Sequence, residues 1–130
     1  IPYFVNSLQE VINSRQTVTF SISGESIDVQ TKNILYLESD KHIIVMHLIN
    51  DARTEYRFYG NMAVLSDKLQ NLGFLRIHKS YLVNMEYIEL FQYENVYLKS
   101  GVCVPSSEKK HKELKQLYLK WRGKSRWELS

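Results

Sequence analysis

From Thr17 onward, apolar and polar positions alternate with a period of two over most of the chain, the pattern of strands with one buried face. Val18, Phe20 and Ile22 alternate with threonine and serine, Ser23-Gly24-Glu25-Ser26 supplies turn residues, and Ile27-Asp28-Val29 resumes the alternation. That predicts a hairpin. Residues 33–38 and 43–49 read as two further strands, with Asp40-Lys41-His42 at the turn between them. Asn50-Asp51 then turns the chain into residues 54–59, rich in aromatic and other strand-favouring side chains. Only one internal segment takes a helical period. Asn61 suits an N-cap, Met62, Leu65, Leu69 and Leu72 form one apolar stripe, and Gly73 stands where a helix stops. Residues 87–93 and 96–98 predict another hairpin, turning at Glu94-Asn95. Ser100-Gly101 leads into Val102-Cys103-Val104, which Pro105 ends.

Both ends of the chain read as helical. Phe4, Val5, Leu8, Val11 and Ile12 fall at helical spacing with a capping box at Ser7-Leu8-Gln9-Glu10, so residues 1–16 are a helix or linker leading into the domain. Ser106 or Ser107 caps a second helix over residues 108 to about 120, in which Leu114, Leu117, Tyr118 and Trp121 share a face. Gly123 is expected to end it and to leave Lys124 onward frayed. Eight to ten short strands crowded together without alternating helices predict an all-β domain.

Composition narrows the class. A chain of 130 residues, 44% hydrophobic and 24% charged, suits one soluble domain. No apolar run approaches the roughly 20 residues of a membrane span, and no secretory signal pattern opens the chain. Cys103 is the sole cysteine, which fits a reducing cytosol, so a cytoplasmic location is expected. The absence of an initiating Met suggests a fragment of a longer protein. Net charge is only +3, but it is unevenly placed. Residues 106–130 hold eight Lys or Arg against three Glu, while the rest is mildly acidic. A basic end of this kind suits either plain solvation or contact with a polyanion.

The densest candidate chemistry lies in Phe74-Leu75-Arg76-Ile77-His78-Lys79-Ser80-Tyr81-Leu82-Val83-Asn84. Apolar residues for a half-buried strand interleave there with donors that suit phosphates and base edges. This run closely resembles the signature of the LytTR-type DNA-binding domain, the output module of many bacterial response regulators. Three more segments resemble that family in order: "ILYLESDKHIIVMHL", "EYRFYGNMAVLSDKLQNL" and "NVYLKSGVCVPSSEKKHKEL". The likeness covers residues 17–114 and leaves 115–130 as a basic helix and tail. It implies a mainly β fold, an elongated arrangement of small antiparallel sheets with about ten short strands, whose loops rather than a helix enter DNA. It also implies an upstream receiver domain, and binding to direct repeats by two copies of the chain on adjacent sites.

The resemblance assigns roles to three loops. In the first, His42 stands at the base-reading position, beside Lys41 for phosphate; an imidazole can donate to guanine O6 or accept from an amino group. In the second, base reading falls on Lys79, which can reach guanine O6 and N7, with Ser80 and Arg76 on phosphate. His78 is equally well read as a satisfied half-buried residue. In the third, many family members carry Ser-Arg where this chain has Ser107-Glu108. Either Glu108 accepts from cytosine N4, or Lys109 and Lys110 supply backbone attraction, with Ser107 on phosphate.

Other classes find little support. His42, His47, His78 and His111 form no metal-ligand spacing, and neither a nucleophile elbow nor a glycine-rich phosphate loop occurs, so no enzyme, cofactor or metal is expected. His47 alternates in a hydrophobic strand and reads as structural. The alternative function is a membrane- or protein-interaction module acting through Leu114, Leu117, Tyr118, Trp121 and Trp127 among their lysines. Nine Tyr and five Phe also admit single-strand binding, but they alternate in strands without an RNA-recognition signature.

Overall fold

The computed structural model describes residues 16–125. The expected N-terminal helix and the tail with Trp127 lie outside the described residues. Within them, ten strands form three antiparallel sheets, which bears out the mainly β class. The first is a hairpin of β1 (Thr17–Ile22) and β2 (Glu25–Gln30). Its two-residue loop places Ser23 at φ 52° and Gly24 at φ 81°, the paired positive φ of a type I′ turn.

The central sheet has five strands. They are β3 (Ile34–Asp40), β4 (Ile43–Leu48), β5 (Glu55–Tyr59), β6 (Phe74–His78) and β7 (Tyr81–Asn84), in the order β5-β4-β3-β7-β6. Chain order therefore takes β5 on one edge to β6 on the other, and helix α1 (Met62–Leu69) makes that crossing. Asn61 caps α1 as expected, its Oδ1 accepting from Ala63 N (2.8 Å) and Val64 N (3.3 Å). Met62, Leu65 and Leu69 are buried, and a short 3-10 turn carries the chain to Gly73 at φ 91°, where the helix stops.

The third sheet comprises β8 (Ile88–Phe91), β9 (Asn95–Leu98) and β10 (Cys103–Pro105), with β9 in the middle. Its hairpin turns at residues 92–94 rather than at Glu94-Asn95, because Gln92 N donates to Asn95 O (2.9 Å) and draws Asn95 into β9. Helix α2 (His111–Ser125) begins later and runs further than expected. It continues through Gly123, which has no neighbour near its Cβ position and does not take a positive φ, so nothing forces a stop there. Leu114 and Tyr118 of α2 are buried and Trp121 is half-buried, while Leu117 is 47% exposed. Much of the apolar stripe once available to a partner is thus spent on the core.

Two apolar clusters sit on either side of the central sheet. Phe20, Val29, Leu37, Ile44, Met46, Leu65, Leu69 and Phe74 join the hairpin and α1 to one face. Leu75, Ile77, Val83, Ile88, Phe91, Val96, Val104, Leu114 and Tyr118 join the third sheet and α2 to the other. One polar residue ties these layers together. Asn84 is 5% exposed, its Nδ2 donates to Ile34 O (2.8 Å) and Thr31 O (3.2 Å), and its Oδ1 accepts from Glu86 N (3.1 Å). Asn84→Ala strands those buried backbone groups and is expected to cost about 2–3 kcal/mol in urea unfolding. A loss below about 0.5 kcal/mol would mean that water replaces the amide without penalty.

Candidate nucleic-acid interface

The strand order gathers the three loops. β3 and β4 form one hairpin, β6 and β7 another, and β3 pairs with β7 in the register Glu38↔Tyr81. The turns at Lys41-His42 and Lys79-Ser80 therefore leave the same end of the sheet. Ser39 N donates to Ser80 O (2.9 Å) and extends the pairing up to the second turn. The turn centres lie two strand spacings apart, about 10 Å, against a major-groove width of about 12 Å. The third loop joins them from the other side. Ser107 N donates to Ile77 O (2.7 Å) and Ser106 N to Glu94 O (2.9 Å), so the chain after β10 runs along the open edge of β6.

In the first loop Lys41 and His42 are exposed, and Lys41 adopts φ 58°. Gly60 N donates to His42 O (2.9 Å), which anchors the turn to the end of β5. In the second loop Lys79 is exposed and Ser80 half-buried. Ser80 N donates to His78 Nδ1 (3.1 Å), which places the proton of a neutral ring on Nε2, and His78 packs edge-on to Tyr81. His78 is thus the satisfied half-buried residue of the blander reading. Arg76 is half-buried; its Nη2 donates to Lys79 O (2.8 Å), and its Nε is buried without a partner. Its guanidinium lies against the turn.

In the third loop Ser106 is buried, with Oγ on Ile77 O (3.5 Å), so its hydroxyl is turned inward. Ser107 is half-buried, and its Oγ accepts from Lys110 N (3.4 Å). Glu108, Lys109 and Lys110 are exposed in the turn before α2. Among the described residues Lys41, Lys79, Lys109 and Lys110 form no ion pair, leaving four cations against the exposed carboxylates Asp40 and Glu108. No group of three potential metal ligands occurs among the described residues.

Two features escaped sequence reading. Tyr59, 84% exposed, lies opposite Ile43 at the same end as the first turn, and its place in a strand pattern gave no sign of it. The union of the third loop with Ile77 joins residues 30 positions apart through backbone atoms, which no side-chain pattern encodes. His47 is structural as expected: its Nε2 meets Glu38 Oε1 at 2.6 Å and its ring stacks on Tyr36. Burial first, then Glu38, raises the Tyr36 phenol above its ordinary pKa.

Residues 24–119 match the family described as the LytTr DNA-binding domain. The chain belongs to that family. It is 36% identical over 101 residues to the sensory transduction protein LytT of Bacillus subtilis (strain 168), covering 72% of this chain and 40% of that protein. It is 31% identical over 74 residues to the protein of the same name in Bacillus cereus, covering 53% of this chain and 30% of that one. The chain thus spans well under half the length of these relatives. A solved LytTr DNA-binding domain of a putative methyl-accepting/DNA response regulator from Bacillus cereus shares the fold at TM-score 0.63 and 18% identity. That likeness covers 79% of this chain and 96% of the solved one.

In this LytTr domain the first loop carries backbone strain at an exposed cation, Lys41. A left-handed conformation costs an ordinary L residue about 1–2 kcal/mol, and asparagine tolerates it better. Lys41→Asn is expected to raise thermal stability by about 0.5–1 kcal/mol. An unchanged or lower midpoint would show that the lysine stem contributes packing that offsets the strain.

Proposed function

We propose that this LytTr domain reads duplex DNA sequence-specifically through the loop-bearing end of its central sheet, as the output domain of a bacterial response regulator. The observation that carries the reading is the β3–β7 register, which brings Lys41-His42 and Lys79-Ser80 to one end of the sheet and lets Ser107 dock beside them. Loops of this size can enter a major groove where a helix is absent, and α1 offers only Lys68 among its outward positions. The imidazole of His42 and the ammonium of Lys79 read bases. Lys41, Ser80 and Ser107 meet phosphates, and Lys109 and Lys110 attract the backbone. Glu108, which repels phosphate, fits this edge only where it accepts from a cytosine N4.

The relatives are sensory transduction proteins that extend well beyond the matched segment. That supports a receiver domain upstream of this one in the full protein, acting in the cytoplasm. Two copies of the chain on direct repeats complete the reading. No described helix is long and apolar enough to cross a membrane.

Selection of sites from random-sequence duplex tests the proposal. It is expected to enrich a short motif repeated about one helical turn apart. Neutralising four to six phosphates gives a log–log salt slope of about −4 to −5. Lys79→Ala is expected to relax preference at one base pair and to weaken specific binding by about 1–3 kcal/mol. Equal loss on selected and random duplexes would make Lys79 a phosphate contact, and absence of any enriched motif would overturn sequence-specific reading.

A further inference from the structure

The backbone of the second loop is pinned at every polar group that the structure pairs. Lys79 O accepts from Arg76 Nη2 (2.8 Å), and Ser80 N donates to His78 Nδ1 (3.1 Å). Ser80 O accepts from Ser39 N (2.9 Å), and Ile77 O accepts from Ser107 N (2.7 Å). The last of these falls at the register shift between Arg76 and His78, where β6 departs from regular pairing with β7. A turn held on four sides keeps its backbone fixed and leaves the Lys79 side chain as its free part. Arg76 is the one cation in this bracket, and its guanidinium is already engaged by the turn: the residue is half-buried, Nη2 is spent on Lys79 O and Nε is sequestered.

We infer that Arg76 is a positioning residue, which fixes the Lys79 turn and, through Ile77, the third loop, so that both are presented to DNA as one preformed unit. The inference rests on the DNA-reading proposal above and replaces a phosphate contact with an indirect role. Its physical basis is preorganisation. A loop ordered before binding loses less conformational entropy on contact than one ordered during it. A planar guanidinium suits the task, because its fork can donate to a carbonyl while the rest of the side chain stays half-buried.

Two accounts of Arg76 predict different things. A phosphate contact adds to all duplexes alike and contributes about one to the salt slope. A positioning residue acts on the selected site and leaves the slope alone. The test uses Arg76→Gln and Arg76→Lys, with affinities measured on selected and random duplexes across a salt series. Positioning predicts that both variants lose about tenfold or more on the selected site, within about twofold of wild type on random duplex. It also predicts an unchanged slope, and no further loss of preference from Arg76→Gln in a Lys79→Ala background, because the two act through one turn. Full activity of Arg76→Lys, or equal loss on both duplexes with a slope lower by about one, would overturn it.

A readout free of DNA separates this inference from the reading beneath it. In Arg76→Lys, amide exchange at Ser80 and Ser107 is expected to rise about tenfold while Leu82 and Val83 stay protected. Unchanged exchange at Ser80 and Ser107 would overturn the bracket whatever the DNA result. Faster exchange there, with no wild-type preference for any duplex, would leave the bracket standing, overturn Arg76's part in reading, and place the failure in sequence-specific binding itself.

Discussion

The antiparallel pairing of β3 with β7 is the contact on which the interface depends. These strands are separated in sequence by β4, β5, α1 and β6, and only their union makes two independent hairpins into one sheet. Its ends are secured by different chemistry. At the loop end Ser39 N reaches Ser80 O; at the other end Asn84 reaches back to Thr31 O, just before β3, and to Ile34 O at its first residue. A slip of one residue in this register turns every side chain to the opposite face. Leu37 and Leu82, both fully buried and directly opposed, make such a slip costly.

Division of labour follows from that frame. Apolar side chains face the two cores, and backbone groups of the loops find partners within the protein. Exposed at the sheet end are the basic side chains Lys41, His42, Lys79, Lys109 and Lys110, beside Tyr59 and the carboxylates Asp40 and Glu108. Their charge is modest in total, which agrees with a chain whose net charge is only +3. Placement, not quantity, gives this surface its character. The same logic accounts for Arg76 and His78, which sit in the most motif-like stretch of the chain yet each spend one hydrogen bond on the turn itself.

Much of the fold was legible because its signals are local. The first hairpin turn, the Asn61 cap and the Gly73 stop each declare themselves within a few residues. The cap and the stop fall as read, while the turn is shorter than the expected Ser23–Ser26, because Glu25 and Ser26 already pair in β2. Gly123 misled because glycine permits a helix end without requiring one, and α2 has buried anchors at Leu114 and Tyr118 that hold its body regardless. Ser106 and Ser107 looked equivalent in sequence, yet burial against Ile77 O distinguishes them. The candidate site was legible as a set of residues but not as a geometry. The bond from Arg76 to the Lys79 carbonyl sits beside the register shift in β6, an irregularity that alternation does not reveal.

The most direct test of the account is amide chemical-shift mapping of the domain titrated with a selected duplex at roughly physiological salt. The account predicts perturbations concentrated at residues 41–42, 79–80 and 107–110, with the outward face of α1 and the β1–β2 hairpin unchanged. Perturbations centred on α1, on the hairpin or on the exposed side of α2, with those loops silent, would contradict it.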